Sequence, residues 1–438
     1  MGAISKKKMK LSGWGNNKFI DCKVHYPKNI DDLKTLIKKN VIVRGLGKAY
    51  GDSAIQPNGT IITSKLKKIL HFDKINGVIE VESGISIKNL IKETIKNGWF
   101  LPVTPGSKNI TVGGMVASDV HGKNHHKVGN FGNFIIEIKI VNYKKKIISC
   151  KKNKNSNLFN YTIGGMGLTG LIYSCKFKLK KITSDLIYQE TIKNINLKET
   201  IKRLKNSNKW EYNVAWVDTS AIDEKMGRSI LYRGRHVKRK KLILNYKEKK
   251  SISIPNFFPN WFMNKFTIKF LNFLYFYISS KSIGEISIDK YFYPLDRVKN
   301  WNVVYGNKGF ISYQFIIPYK NSYKIIKNIL SIINRNKVYS FISAIKAMKK
   351  NDKYLSFGKK GFTLVFDFPI YKNIHKVLDE IDKIVKSNYG DIYLTKDSRI
   401  SKKNFKQINK KFYSSTFKNL RKKEGLFFNS LQSKRLKI

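Results

Sequence analysis

Acidic residues are scarce in this sequence: 29 Asp+Glu face 86 Lys+Arg over 438 residues, a net charge of +57. Cysteine is scarcer still. Cys22, Cys150 and Cys175 are odd in number and far apart, which excludes a secreted disulfide scaffold and a Cys-based zinc module and fits a reducing, cytoplasmic setting. No uninterrupted run of about 20 apolar residues occurs. The most apolar stretch, Pro255–Ser279, is broken by Asn264, Lys265, Lys269 and Asn272 and is not expected to span a membrane. Met1–Lys10 is basic but lacks the apolar run and cleavage site of a signal peptide. No G-K-[ST] loop is present, so a Walker site is excluded. The lysines run along the whole chain among Ile and Asn, with no helix-turn-helix or base-stacking motif. The charge is therefore read as compositional, and the alternative of a non-catalytic nucleic-acid-binding protein finds no motif.

What is present is material for packed cores: 42% apolar and 13% aromatic residues, in a length that predicts two domains. Ile30, Leu33, Leu36 and Ile37 have helical spacing after Asn29, and Val41–Val43 reads as a short strand ending in glycines. Val78–Val81 predicts a strand and Ile87–Lys96 a helix stopped by Asn97-Gly98; Phe134–Val141 with Lys146–Cys150 predicts a hairpin, and Leu171–Leu179 another strand. After about Thr183 the glycines thin out. Strands at Asn213–Val217, Ser229–Tyr232, Phe310–Ile317 and Thr363–Phe368 alternate with amphipathic helices at Ser322–Ile333 and Ile374–Val385. The expected class is α+β, the second domain being an antiparallel sheet with flanking helices. In the basic tail, Phe412, Phe417, Leu420, Leu426, Phe427 and Leu431 offer packing surface.

Three glycine clusters carry the chemistry: R-G-L-G-K-A-Y-G-D (Arg44–Asp52), T-P-G-S-K-N-I-T-V-G-G-M-V-A-S-D-V-H-G-K-N-H-H (Thr104–His126) and T-I-G-G-M-G-L-T-G (Thr162–Gly170). Glycine-rich turns after a strand aim successive backbone N–H groups at one anion, the geometry that holds phosphates. His121, His125 and His126 are three imidazoles in six residues. Gly122 interrupts any helix face and no carboxylate cluster joins them, so no metal is expected.

These blocks resemble the FAD-binding domain of the vanillyl-alcohol-oxidase (PCMH-type) flavoproteins, and more closely the decaprenylphosphoryl-ribose oxidase group. The likeness continues through Gly227–His236, Tyr293–Asp296, Trp301–Gly306, Tyr313–Pro318, Asp367–Pro369, Tyr393–Arg399 and F-F-N-S-L-Q-S-K-R-L, and is weakest between about Lys240 and Ile286. It implies a PCMH-type FAD-binding domain over residues 1–186, completed by 392–438, and a substrate domain over 187–391. It also implies non-covalent FAD, because Lys48 stands where several relatives carry a linking His. The implied cofactor residues are Arg44, Gly45, Leu46, Gly47, Lys48, Ala49, Tyr50, Gly51, Asp52 and Ser53, then Gly106, Thr111, Val112, Gly113, Gly114, His121, Gly122, Lys123 and Asn124, then Ile172 and Tyr393. The implied substrate residues are Trp216, Gln314, Lys346 and Lys396, with Lys396, Tyr50 and His121 as catalytic candidates.

The implied reaction is oxidation of a sugar hydroxyl, the 2′-hydroxyl of a polyprenyl-phosphoryl ribose, as the first half of an epimerisation. An NAD(P)H-dependent reductase would act on the keto product. The nearest alternative is an alditol or aldonolactone oxidase on free sugars. One departure stands out: Thr363 and Val365 occupy positions where close relatives often have Asn and Cys, so reagents that capture that thiol should not react here. Pro255–Ser279 falls where the group has a mobile loop, and its aromatics and lysines suit peripheral contact with the inner face of the cell membrane.

Overall fold

The computed structural model describes residues 5–248, 251–255, 258–351, 353–423 and 427–438; Asn256, Phe257 and Leu426 therefore lie outside the described residues. The first third of the chain builds two small sheets. Ser5–Leu11 pairs antiparallel with Ile20–Tyr26, and Thr60–Ile62 and Ile42–Arg44 add in parallel. A five-stranded antiparallel sheet follows in the order Ile69–Asp73, Val78–Glu82, Leu171–Lys178, Ile135–Val141, Ile147–Cys150. Alternation in V-I-E-V-E and L-I-Y-S-C-K-F-K turns Ile79, Val81, Cys175 and Phe177 inward. They pack in one cluster with Leu90 and Ile91 of the helix Ile87–Thr94, whose Ser86 cap accepts from Asn89 N.

The second half forms an eight-stranded antiparallel sheet in the order Ser282–Ser287, Leu186–Asn194, Ser229–His236, Tyr212–Val217, Ser343–Met348, Gly361–Pro369, Phe310–Pro318, Asp391–Ile392. Period-two alternation sorts its two faces. Tyr313, Phe315, Ile345, Leu364 and Phe366 share a core with Ile326, Ile329 and Ile333 of the helix Ser322–Arg335 and Leu378 and Ile381 of Ile374–Ser387. The register pairs Gln314 with Val365, Val365 with Ala344 and Thr363 with Lys346, so these polar and small side chains share the opposite face. That face looks onto the glycine clusters.

The tail binds both halves. Phe405, Phe412 and Phe417 pack with the large-sheet core, whereas Phe428 packs with Leu33, Val41 and Ile61. Val41 exchanges backbone hydrogen bonds with Phe427 and Asn429 at 3.0 and 2.9 Å, and Arg435 bridges Asp52 and Asp397, each at 2.8 Å.

Candidate active site

Between the glycine loops and the polar face of the large sheet runs a cleft of about 740 Å³, large enough for a cofactor-sized ligand. Gly45, Leu46, Gly47, Lys48, Ala49 and Tyr50 form one wall; Gly106, Thr111, Gly113 and Gly114 form the next; Ile172 and the sheet residues close it. Glycine is required at two of these places. A side chain at Gly45 would come within 2.2 Å of Thr111 Oγ1, and Gly47 has φ +67°, where other residues are strained. At Gly106 an added Cβ meets nothing within 4 Å, so the missing side chain leaves open cleft. A long wall of bare backbone beside a band of cations fits a flavin dinucleotide, whose pyrophosphate needs close N–H donors and countercharge.

The far wall is polar and buried. His121 lies with Nε2 2.9 Å from Gln314 Nε2 and Nδ1 2.7 Å from Lys346 Nζ, its ring packed on Tyr393. Burial and Lys346 hold its pKa well below the ordinary value, so it is neutral. Lys396 sits with Nζ 3.3 Å from the centre of the Tyr50 ring, a short cation–π contact. Burial lowers its pKa to about 8, against the pull of Asp367. Lys123 donates to the Tyr291 carbonyl, and burial lowers it to about 7. Lys48 caps the Trp14 ring at 3.0 Å, with a pKa lowered to about 8 by burial.

Most residues singled out from the sequence meet in this cleft, among them Ser53, Gly122, Gln314, Lys346, Tyr393 and Lys396. Six do not line it, and each corrects the expectation for a physical reason. Arg44 turns inward to donate to the Ser12 carbonyl at 2.7 Å. Asp52 is taken up by Arg435, and Gly51 lies against the Asp397 carbonyl, so both tie the loop to the tail. Val112 is core, and Asn124 donates to the Pro102 carbonyl at 2.8 Å. Trp216 is on the same strand face as the cleft-lining Val214, but Tyr275 covers it edge-on at 4.8 Å, and its indole N–H donates to the Phe341 carbonyl. His126 Nε2 donates to the Trp210 carbonyl at 3.0 Å, and its ring lies against the Asn213 amide.

Two carboxylates that received no role from the sequence matter here. Asp367 is buried on the cleft wall, one oxygen bonded to Ser312 at 2.5 Å. An acid inside the apolar run T-L-V-F-D-F-P was the available signal. Asp119, wholly buried, accepts from Gly132 N at 2.7 Å, from Asn130 and Asn351 at 3.1 Å each, and from Ser356. It joins the 351–358 loop to the glycine block.

A glycine-walled cleft for a dinucleotide, with a buried lysine band facing it, defines an FAD-dependent oxidoreductase. The comparisons agree. An FAD binding domain family matches residues 23–151. The decaprenylphosphoryl-beta-D-ribose oxidase of Mycolicibacterium smegmatis is 31% identical over 380 residues, 84% of this chain and 82% of its own. The chain belongs to that oxidase family and is an FAD-dependent oxidoreductase acting on a CH–OH group. The L-gulonolactone oxidase of Mus musculus is 22% identical over 38% of this chain and 39% of its own, and the D-lactate dehydrogenase of Anaerostipes hadrus 29% over 32% of each.

Proposed function

We propose that the chain oxidises the 2′-hydroxyl of a polyprenyl-phosphoryl pentose to a ketone, which a separate NAD(P)H-dependent reductase would convert to the epimeric alcohol. The observation that carries this reading is the convergence of Lys396, Tyr50, His121, Gln314 and Lys346 on one side of the glycine-walled cleft. Gly45–Tyr50, Gly106, Thr111, Gly113 and Gly114 would hold FAD, which would supply the hydride acceptor. Gln314 orients the sugar hydroxyls, and the lysine band offers countercharge to the substrate phosphate. Lys396, whose charge changes near pH 8, takes the hydroxyl proton as the carbinol hydrogen leaves. Anaerobic bleaching by a panel of free sugars and polyprenyl-phosphate sugars tests this. Bleaching by phosphopolyprenyl ribose supports it, and bleaching by free alditols or aldonolactones alone would replace it.

The flavin is held without a covalent bond, since Lys48 is occupied by Trp14 at the loop position in question. Acid precipitation should therefore release the yellow colour into the supernatant; colour that stays with the pellet refutes the point. Among the described residues the cleft also has no thiol: Cys22, Cys150 and Cys175 are buried elsewhere, and Thr363 and Val365 line the wall.

The substrate's lipid arrives, in this reading, along the helix Lys265–Ile278. Its Asn264 cap accepts from Phe266 N and Thr267 N, and Ile268, Asn272 and Phe276 face the protein. Phe266, Phe270, Phe273 and Ile278 face outward, at 74%, 61%, 52% and 71% exposure. An aromatic face of this kind beside Lys265 and Lys269 suits the interface of an anionic bilayer. Among the described residues no helix is long and apolar enough to cross one. Replacing Phe266, Phe270 and Phe273 together by Ser should cut sedimentation with phosphatidylglycerol vesicles at least about tenfold while FAD content is kept. Unchanged sedimentation would remove the helix from membrane contact.

A further inference from the structure

Behind the cleft wall a chain of hydrogen bonds has a direction that can be read from one end. Thr363 Oγ1 lies 2.9 Å from the Phe315 carbonyl oxygen, which only accepts, so the hydroxyl proton points there. Thr363 then meets Gln314 Nε2, at 3.1 Å, as an acceptor, which fixes the end of the amide that carries nitrogen. The second proton of that Nε2 points at His121 Nε2, 2.9 Å away, so this ring nitrogen accepts. A neutral imidazole carries one N–H, which therefore sits on Nδ1, 2.7 Å from Lys346 Nζ. An N–H facing a nitrogen needs a lone pair there, and an ammonium has none.

We propose that Thr363 is a positioning residue that, through Gln314, holds His121 as its Nδ1–H tautomer and so keeps Lys346 a neutral amine. The surroundings act in the same direction. Lys346 also touches the Gly122 carbonyl at 3.2 Å, and it faces Lys123 from the glycine block and Lys396 from the tail. His125 and His126, on the short helix beside the glycine block, feel its charge too, and Asp367 acts on Lys396. Burial with the like charges of Lys123 and Lys396 brings Lys346 down to about 7. Three ammoniums in one buried wall would repel each other; the hydrogen-bond direction adds a specific reason for Lys346 to give up its proton. It also leaves the amide oxygen of Gln314 as the acceptor offered to the cleft, a consequence that rests on the proposed reaction.

Competitive trace labelling with acetic anhydride between about pH 5 and pH 11, followed by digestion and mass spectrometry, reads each lysine of the FAD-loaded protein separately. Lys346, which lines the cleft, should become half-reactive near pH 7. In Thr363→Val the amide is free to turn its oxygen to His121, the ring proton moves to Nε2, and Lys346 regains a partner for its ammonium. Its midpoint should rise by at least about one unit, roughly a tenfold fall in the ratio of amine to ammonium at neutral pH. Thr363→Ser should keep the original midpoint. If the valine variant does not fold, Thr363→Ala removes the same hydroxyl without adding a charge and should raise the midpoint likewise. An ordinary lysine midpoint in the unmodified protein, or one unmoved by the variants, overturns the proposal. The labelling uses no substrate, so its failure and that of the proposed reaction are separate results.

Discussion

Lys396→Ala is expected to keep the flavin yellow while slowing its anaerobic reduction at least about a hundredfold, the lower end of what one lost preorganised interaction costs. The side chain is placed by the strand Asp391–Ile392 and the turn that follows it, where Tyr50 N donates to the Thr395 carbonyl at 2.9 Å. Alanine leaves that backbone contact intact. Because burial holds the ammonium at about 8, the unmodified rate should rise with pH through that value as amine replaces ammonium. The alanine variant should lose this limb of the profile. Lys396→Arg should recover little, since a guanidinium keeps its proton and its planar fork does not match a compact ammonium over the Tyr50 ring. Near-normal reduction of the alanine variant would take Lys396 out of the chemistry and turn attention to Tyr50 and His121.

The second large effect is expected at Asp119→Ala. Four donors converge on this carboxylate, from Gly132, Asn130, Asn351 and Ser356, and none of the five residues is at the surface. Each buried donor left without a partner costs about 1–3 kcal/mol, so the sum is on the order of 3 kcal/mol or more after partial relaxation. The melting temperature of the FAD-loaded protein should fall by about 5 °C or more. FAD occupancy should fall with it, because Asp119 ends the helix Val112–Ser118 on the cleft wall. Asp119→Asn keeps the shape but turns one acceptor into a donor, and should lie between the two. An unchanged melting curve for the alanine variant would mean that the carboxylate does not join loop and block.

Much of this was legible in the residue order. Strands such as Val78–Glu82 and Phe310–Pro318 follow from alternation and β-branching, and the helices Ser322–Arg335 and Ile374–Ser387 from their apolar stripes. The glycine clusters announced a backbone-lined anion site because few other uses of glycine are so dense. Side-chain direction was less legible. Arg44 sits in the first loop, but its guanidinium is taken up by the Ser12 carbonyl, 32 residues earlier in the chain. Trp216 has the right strand parity for the cleft, yet a helix some 60 residues later in the chain covers it. Asp367 meets Ser312, 55 residues away, and two of the four donors on Asp119, Asn351 and Ser356, lie more than 200 residues away, and no local pattern encodes such a meeting. Thr363 was visible as a departure from relatives; its hold on Gln314 required the strand register.

The pairing of Val41 with Phe427 and Asn429 sets an order of events during synthesis. Asn40 and Asn429 are 389 residues apart in the chain, so the first glycine loop leaves the ribosome long before its last supporting segment exists. At the usual 5–20 residues per second the delay is roughly 20–80 s. Through that interval Asp52 has no Arg435, Val41 has an open edge, and Tyr50 lacks the 393–397 turn. Flavin capture is therefore expected to wait for the segment that carries Phe427, Asn429 and Arg435. Nascent polypeptides arrested short of Phe427 should emerge colourless however much cofactor the cell contains.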